Sequence, residues 1–369
     1  MNAQNRNLQL LRDELKRRGF FVRTPLRLMG ELLLFVLLTL AGIVLVVMSE
    51  ELVWKATGML IVAWASLAVS TNAHTASHGA ISNNHGINKA LVLFGYPFFL
   101  QVSASFWHEK HIVVHHRHPN ISGIDWDADL TPFFALNRDD LQSAKGLHGW
   151  WYRHQGLFFP LVLPANAFGV VLRGWFFLLR KLIADKGRGG RYWLDLSMLF
   201  LHWVAWIILP MLYFEPINVL EFTLTRFVLI SYGMFAVFAP AHYPAEAVLL
   251  DERLRDNDFA LLQTVTAVNF RTGWIGRLLC GGVEYQIEHH LFPSISPAHY
   301  PTLAPIVEGF CREQGYPYRT LGWGESLWKS IRTFYAPKPV HQTIPAITGD
   351  ARPARAPQTG AVERDPTMS

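Results

Sequence analysis

Four stretches of the chain are apolar over close to the ~20 residues a helix needs to cross the hydrocarbon core of a bilayer. Leu32 to Met48 runs without a charge, and Leu52 to Ser70 contains only Lys55, near its start. Leu196 to Tyr213 carries no formal charge, and Phe222 to Ala241 has only Arg226 near its entrance. The link between the first two is so short that they predict a helical hairpin. Two further apolar stretches are interrupted: Ala90 to Ser105 holds Gly95, Pro97 and Gln101, and Leu157 to Leu172 holds Pro160 and Pro164. Arg153 precedes the latter, and Arg173, Arg180 and Lys181 follow it. These stretches predict helices lying at the cytoplasmic interface. From Ala336 onward, six prolines among scattered Thr, Ala and Arg leave no apolar period and predict a disordered tail. No internal repeat interrupts this plan.

The pattern predicts an all-α polytopic membrane protein with four transmembrane helices and a cytoplasmic helical cap. Its parts are a basic segment over 1–31, a membrane domain over 32–335, and the tail over 336–369. Charge sets the orientation. Seven Lys or Arg stand between Met1 and Arg27 against Asp13 and Glu14, which places the N-terminus in the cytoplasm and the links near Glu50 and Glu215 outside. Four spans then return the C-terminus to the cytoplasm, in a bacterial cytoplasmic membrane or the endoplasmic reticulum. Glu50 and Glu51 follow the first run where a secretory signal would have small residues, so the run reads as an uncleaved anchor.

Composition agrees, with 51% apolar and 17% charged residues against roughly 25% charged in soluble domains. A net charge of +5 could attract nucleic acid, but the basic residues bracket apolar runs and are not interleaved with aromatics, so no nucleic-acid partner is expected. Two cysteines, Cys280 and Cys311, exclude a disulfide framework or a cysteine-based metal site. Histidine, at 16 copies, is the residue in excess.

The histidines cluster on the predicted cytoplasmic side. His74 and His78 lie just past the second span; His111, His115 and His116 form a second cluster; His242 follows the fourth span; and His289 and His290 close Gln286-Ile-Glu-His-His. Residues four apart share a helix face, so His74 with His78, and His111 with His115, are expected to converge on one ion each. Adjacent histidines diverge by about 100°, so His115-His116 and His289-His290 are each able to serve two ions. His148, His154, His202, His299 and His341 read as helix-end or interfacial residues, and His85, His108 and His118 stay open. Imidazole suits Zn, Cu, Fe or Ni. Zinc needs only four ligands, whereas two irons fit this count. Asp125, Asp127 and Asp129 either orient ligand imidazoles or form a solvated loop.

The segment Gly281 to Pro293, with Gln286, His289 and His290, resembles the third histidine box of membrane fatty-acid desaturases, in the glutamine form of the front-end and sphingolipid subgroup. His115-His116-Arg117-His118-Pro119-Asn120, with Gly123-Ile124-Asp125-Trp126-Asp127 after it, is similar to the second box and its downstream signature. His74 to His78 stands as the first. The resemblance covers roughly Leu32 to Tyr300. It implies a di-iron centre on His74, His78, His111, His115, His116, His242, Gln286, His289 and His290, with O2 as co-substrate. Thr75 stands where an Asp often follows the first histidine, and three residues rather than two precede the histidine pair of the second box.

The activity this implies is insertion of a cis double bond into a long acyl chain carried on CoA, a carrier protein or a lipid. A hydroxylase of the same di-iron type is the nearest alternative. A bis-histidine haem protein carrying electrons is the alternative of a different class. The His-Pro-Gly-Gly motif of cytochrome b5 does not occur in these residues, so a separate ferredoxin, or cytochrome b5 with its reductase, is expected as donor. Lys181, Lys186, Arg188 and Arg191 either receive it or bind anionic lipid. Trp107, Trp126, Trp150 and Trp151 either line an acyl tunnel or anchor at the interface, and the interfacial reading is preferred.

Overall fold

The computed structural model describes residues 3–186 and 188–344. The described chain is mostly helical, with two short parallel strand pairs among the described residues, Leu249–Leu250 with Val340–His341 and Asn269–Arg271 with Thr320–Gly322. It is an all-α membrane protein. Helices Pro25–Met48 and Leu52–Ser77 form the expected hairpin, and Gly190–Met211 and Pro216–His242 cover the other two expected spans. The second helix outruns its apolar run because its polar residues are buried and bonded: Thr71 Oγ1 donates to the Ala68 carbonyl and Asn72 Nδ2 to the Leu28 carbonyl, each at 2.9 Å. Hydropathy stops at Ser70; the backbone does not.

Two elements depart from the sequence expectation. The stretch Leu157 to Leu172 falls inside Gly146–Ala184, which is itself long and apolar enough to cross, giving five such helices among the described residues rather than four. Ala90 to Ser105 is not one interfacial helix. It contains the break of a bent pair, His85–Leu100 and Ala104–His115, whose axes differ by 113°, and Gln101 at the bend has a φ of 61°.

The remaining helices form a cap on the end of the bundle where Leu52–Ser77 and Pro216–His242 finish. Ala3–Arg17 is part of it: Leu11 and Leu15 pack with Ala260, Ile287, Leu291, Tyr300, Leu303 and Val307. The chain past Ala336, expected to be disordered, stays packed as far as the description runs. Lys338 is buried, donating from Nζ to the carbonyls of His242 at 2.8 Å and Ala247 at 2.7 Å. Composition missed it because one lysine meeting helix-end carbonyls outweighs the local lack of apolar residues. The rest of the expected tail, 345–369, lies outside the described residues.

Leu15 is fully buried, so Leu15→Ala should cost about 2–5 kcal/mol and lower the unfolding midpoint of the detergent-solubilised protein. An unchanged midpoint would show that the N-terminal helix is not part of the cap.

Candidate metal centre

Four chain segments deliver imidazoles to one place. His74 and His78 end the Leu52–Ser77 helix, and His242 ends Pro216–His242. His111 and His115 lie on a wide-turn helix, His108–His115, and His289 and His290 on the short helix Gln286–Leu291. The last helix is turned into place by Gly281 and Gly282, at φ of 58° and 101°, where a Cβ on Gly281 would meet Thr71 Oγ1 at 2.8 Å. Glycine thus lets the third box press against the helix that carries the first. Asn269 then holds the helix: its Oδ1 accepts from the Ile287 amide at 2.9 Å and its Nδ2 donates to Glu288 at 2.8 Å.

The ring nitrogens sort into two groups. Those of His74, His78, His111, His116 and His289 lie within 4.8 Å of one another, as do those of His115, His242 and His290. Both adjacent pairs are split between the groups, as expected from the ~100° step of a helix. His111 and His115, however, do not simply share one centre. Their helix winds with a wider turn, the His116 amide donating to the His111 carbonyl at 3.0 Å, five residues back. This pairs His111 with His116, whose Nε2 atoms are 3.1 Å apart, and sends His115 to the other group. A smaller set of His111, His115 and Asp127 also lies within 4.8 Å.

In the second group the outward nitrogen of every ring is bonded. His115 Nδ1 meets Asp125 at 2.9 Å, His290 Nδ1 meets Gln263 Oε1 at 2.7 Å, and His242 Nδ1 meets the Thr266 carbonyl at 3.1 Å. Each bond places the proton on Nδ1 and leaves the Nε2 lone pair facing inward. Gln286 completes this group, its amide 2.8 Å from His242 Nε2 and 2.9 Å from His290 Nε2. Burial, then the neighbouring imidazoles, holds His116, His289 and His290 well below the usual imidazole range, which keeps them in the neutral, ligating form.

A metal fits this set. His78 Nε2, His289 Nε2 and Gln286 Oε1 are buried without a hydrogen-bond partner, and each such atom costs roughly 1–3 kcal/mol if nothing meets it. The two open ring nitrogens belong to the first group, and buried lone pairs left open there are what a cation relieves.

The acidic residues separate. Asp125 is fully buried and accepts from His115 and from the Asn120 amide at 2.8 Å. Asp127 pairs with Lys110; burial opposes its charge, but Lys110 and then His115 bring its carboxyl down to about 2. Asp129 is exposed and caps Thr131. Trp107 is no interfacial anchor: it is buried and stacked on His111, with ring centres 4.8 Å apart. Trp126 and Trp150 are exposed. His148, His202 and His299 meet the backbone carbonyls of Pro132, Phe98 and Val22. His154 meets that of Trp150, and His341 lies in a strand pair. Neither His85, His108 nor His118 belongs to a metal-competent group among the described residues. Gln263 and Thr266 escaped the sequence reading, because each acts through a fold contact that no spacing announces; Asn120 enters it only as part of the second-box signature.

The model of the family described as fatty acid desaturase matches residues 52–322, which contain every histidine of both groups. The chain belongs to the fatty acid desaturase family. This desaturase chain is 30% identical over 268 residues to a Delta(5) fatty acid desaturase of Caenorhabditis elegans, covering 71% of itself and 59% of that relative. It is 29% identical over 270 residues to a chloroplastic acyl-lipid (7-3)-desaturase of Chlamydomonas reinhardtii, covering 69% and 50%. With an sn-1 linoleoyl-lipid 6-desaturase of Arthrospira platensis it shares 28% over 289 residues, covering 74% and 75%. The chain thus spans little more than half the length of the first two.

Asp125→Ala should weaken metal retention about 10–100-fold, measured as metal per chain after titration with a chelator, whereas Asp129→Ala should leave it unchanged. Equal retention in the two variants would show that Asp125 does not orient His115.

Proposed function

We propose that this chain is an oxygen-dependent acyl desaturase that inserts a cis double bond into a long acyl chain. The observation that carries the reading is the pair of inward-facing groups above an apolar slot. One ion would be held by His74, His78, His111, His116 and His289, and the other by His115, His242, His290 and Gln286. Two irons bound there would supply the O2 activation and the two-electron chemistry needed to remove two hydrogens from unactivated carbons.

The chain's own residues bind and position. Below the first group, Trp107 and Phe238 stand with ring centres 6.0 and 6.4 Å from His74. They begin a slot lined by Ser70, Met234, Ile230, Phe227, Leu100 and Val102. Its lining is almost wholly apolar and its open space is ≈ 20 Å³, about one water's worth, so an entering acyl tail would part the side chains and exclude water. On the other side of Trp107 a cavity of ≈ 510 Å³ reaches from His78 to Lys89, His85, His108 and Arg191. This is room and charge for a head group. The acyl-lipid and linoleoyl-lipid names of two relatives favour a lipid-linked chain over CoA or a carrier protein. Electrons would come from a ferredoxin or cytochrome b5 with its reductase, docking where Lys186, Arg188 and Arg191 are exposed.

The same reading sets the topology. Leu52–Ser77 and Pro216–His242 both end at the histidines, so both run toward one face. Gly190–Met211 joins the start of Pro216–His242 through a short link and therefore begins on the histidine face, where His116 also lies. Gly146–Ala184, between those two points, makes no net crossing; its break at Leu163–Ala165 suits a helix that runs along or dips into that face. Four crossings remain, and the positive N-terminal segment makes the histidine face cytoplasmic.

Lipid profiling of a host lacking its own desaturases should show a new unsaturated acyl chain when this protein is expressed, and none with His290→Ala. A hydroxylated product would favour the oxygenase alternative, and product from His290→Ala would refute the site. Cysteines introduced as Glu50→Cys and Glu215→Cys should label from outside, and Lys145→Cys and Glu313→Cys only from inside. Outside labelling at Lys145→Cys would break the four-crossing topology.

A further inference from the structure

Two fully buried charges in the bundle, Arg226 and Asp195, each 1% exposed, are met by the two sides of one backbone break. Arg226 Nη2 donates to the Phe99 carbonyl at 2.7 Å and to Ser66 Oγ at 3.2 Å, and its guanidinium lies 3.8 Å from the Trp206 ring centre. Asp195 accepts from Ser103 Oγ at 2.8 Å and from the amides of Ala104 at 3.1 Å and Ser105 at 2.8 Å. Phe99 is near the C-terminal end of the incoming helix of the bent pair, and Ser103 caps the N-terminus of the outgoing one. A cation therefore faces a helix C-terminus and an anion a helix N-terminus, the favourable sign at both ends. The bonds also satisfy backbone groups that a break at membrane depth leaves open.

The break lines the apolar slot. Leu100 and Val102, on either side of Gln101, line it together with Phe227, the neighbour of Arg226. Ser66, which Arg226 also holds, is eight residues below His74 on one helix, or about 12 Å of rise. The outgoing helix carries Trp107 one turn after Ser103 and His111 one turn further. One pinned element thus carries Leu100, Val102 and the Trp107 ring, all three of which line the slot.

We infer that the Phe99–Ser103 turn, held by Arg226 and Asp195, is the fixed floor of the slot and sets the longest acyl tail accepted beyond the reacting carbons. This rests on the acyl-desaturase reading. Arg226 and Asp195 are positioning residues, and Leu100 is the surface the tail meets.

The test feeds saturated fatty acids differing by two carbons to a host lacking its own desaturases and measures the ratio of longer to shorter unsaturated product. Leu100→Ala should raise that ratio about tenfold and Leu100→Trp should lower it by a similar factor, as expected for one or two methylenes gained or lost from burial. Arg226→Met and Asp195→Asn should shift it in the direction of Leu100→Ala. They should also speed hydrogen exchange of the 102–107 amides in the purified protein, a readout independent of turnover. Unchanged ratios in both Leu100 variants would overturn the floor. Unchanged exchange and ratio in the charge variants would overturn the pin, and if those variants do not fold the Leu100 pair decides. Absence of any unsaturated product from the unsubstituted chain would instead refute the desaturase reading, and the floor with it, while the exchange measurement still reports on the pin.

Discussion

An imidazole has two nitrogens, and a cluster of buried histidines can hold metal only if each ring turns its lone pair inward. In the group of His115, His242 and His290 the structure meets this constraint by giving the outward nitrogen a partner. Asp125, Gln263 and the Thr266 carbonyl take the Nδ1 protons of His115, His290 and His242, and these partners must themselves be held. Asn120 does much of that: its amide bonds Asp125, and its side chain reaches the carbonyls of His242 and Thr266 at 2.9 and 3.2 Å. It does so at a φ of 49°, in the left-handed region that asparagine tolerates better than most residues. The loop after the second box, the end of the fourth expected span and the segment around Thr266 are thus one unit, and the cap exists to hold it.

The division of the histidines into two groups was legible in the sequence, since adjacent residues on a helix cannot face one point. The partner of His111 was not. Four-residue spacing pointed to His115, which meets His111 only in the smaller set with Asp127, while a helix wound with five-residue bonds brings His116 into the larger group, and winding is a property of the folded backbone. Asp125 was visible as a candidate among three carboxylates; only burial separated it from Asp129. Gln263 and Lys338 were invisible because each is an ordinary polar residue until the fold sets a histidine ring or a helix-end carbonyl against it.

The membrane plan was legible to the same depth. The four apolar runs expected to span correspond to long apolar helices, because hydropathy reports what lipid tolerates. Hydropathy does not report direction, and so Gly146–Ala184 is long and apolar enough to cross while the proposed topology gives it no net passage. Arg226 read as a charge near a helix entrance. In the structure it lies buried against Phe99 and Ser66, where its desolvation is offset by a carbonyl, a hydroxyl and an indole face. Such a charge is costly in a bundle, which is why its position at the only bent helix pair identified among the described residues carries meaning.

The account turns on two metal groups that share no ring. Metal analysis of the purified protein, with its visible absorption spectrum, tests this most directly. The prediction is about two irons per chain and no haem absorption. A strong Soret band, or a single zinc with no iron, would contradict it.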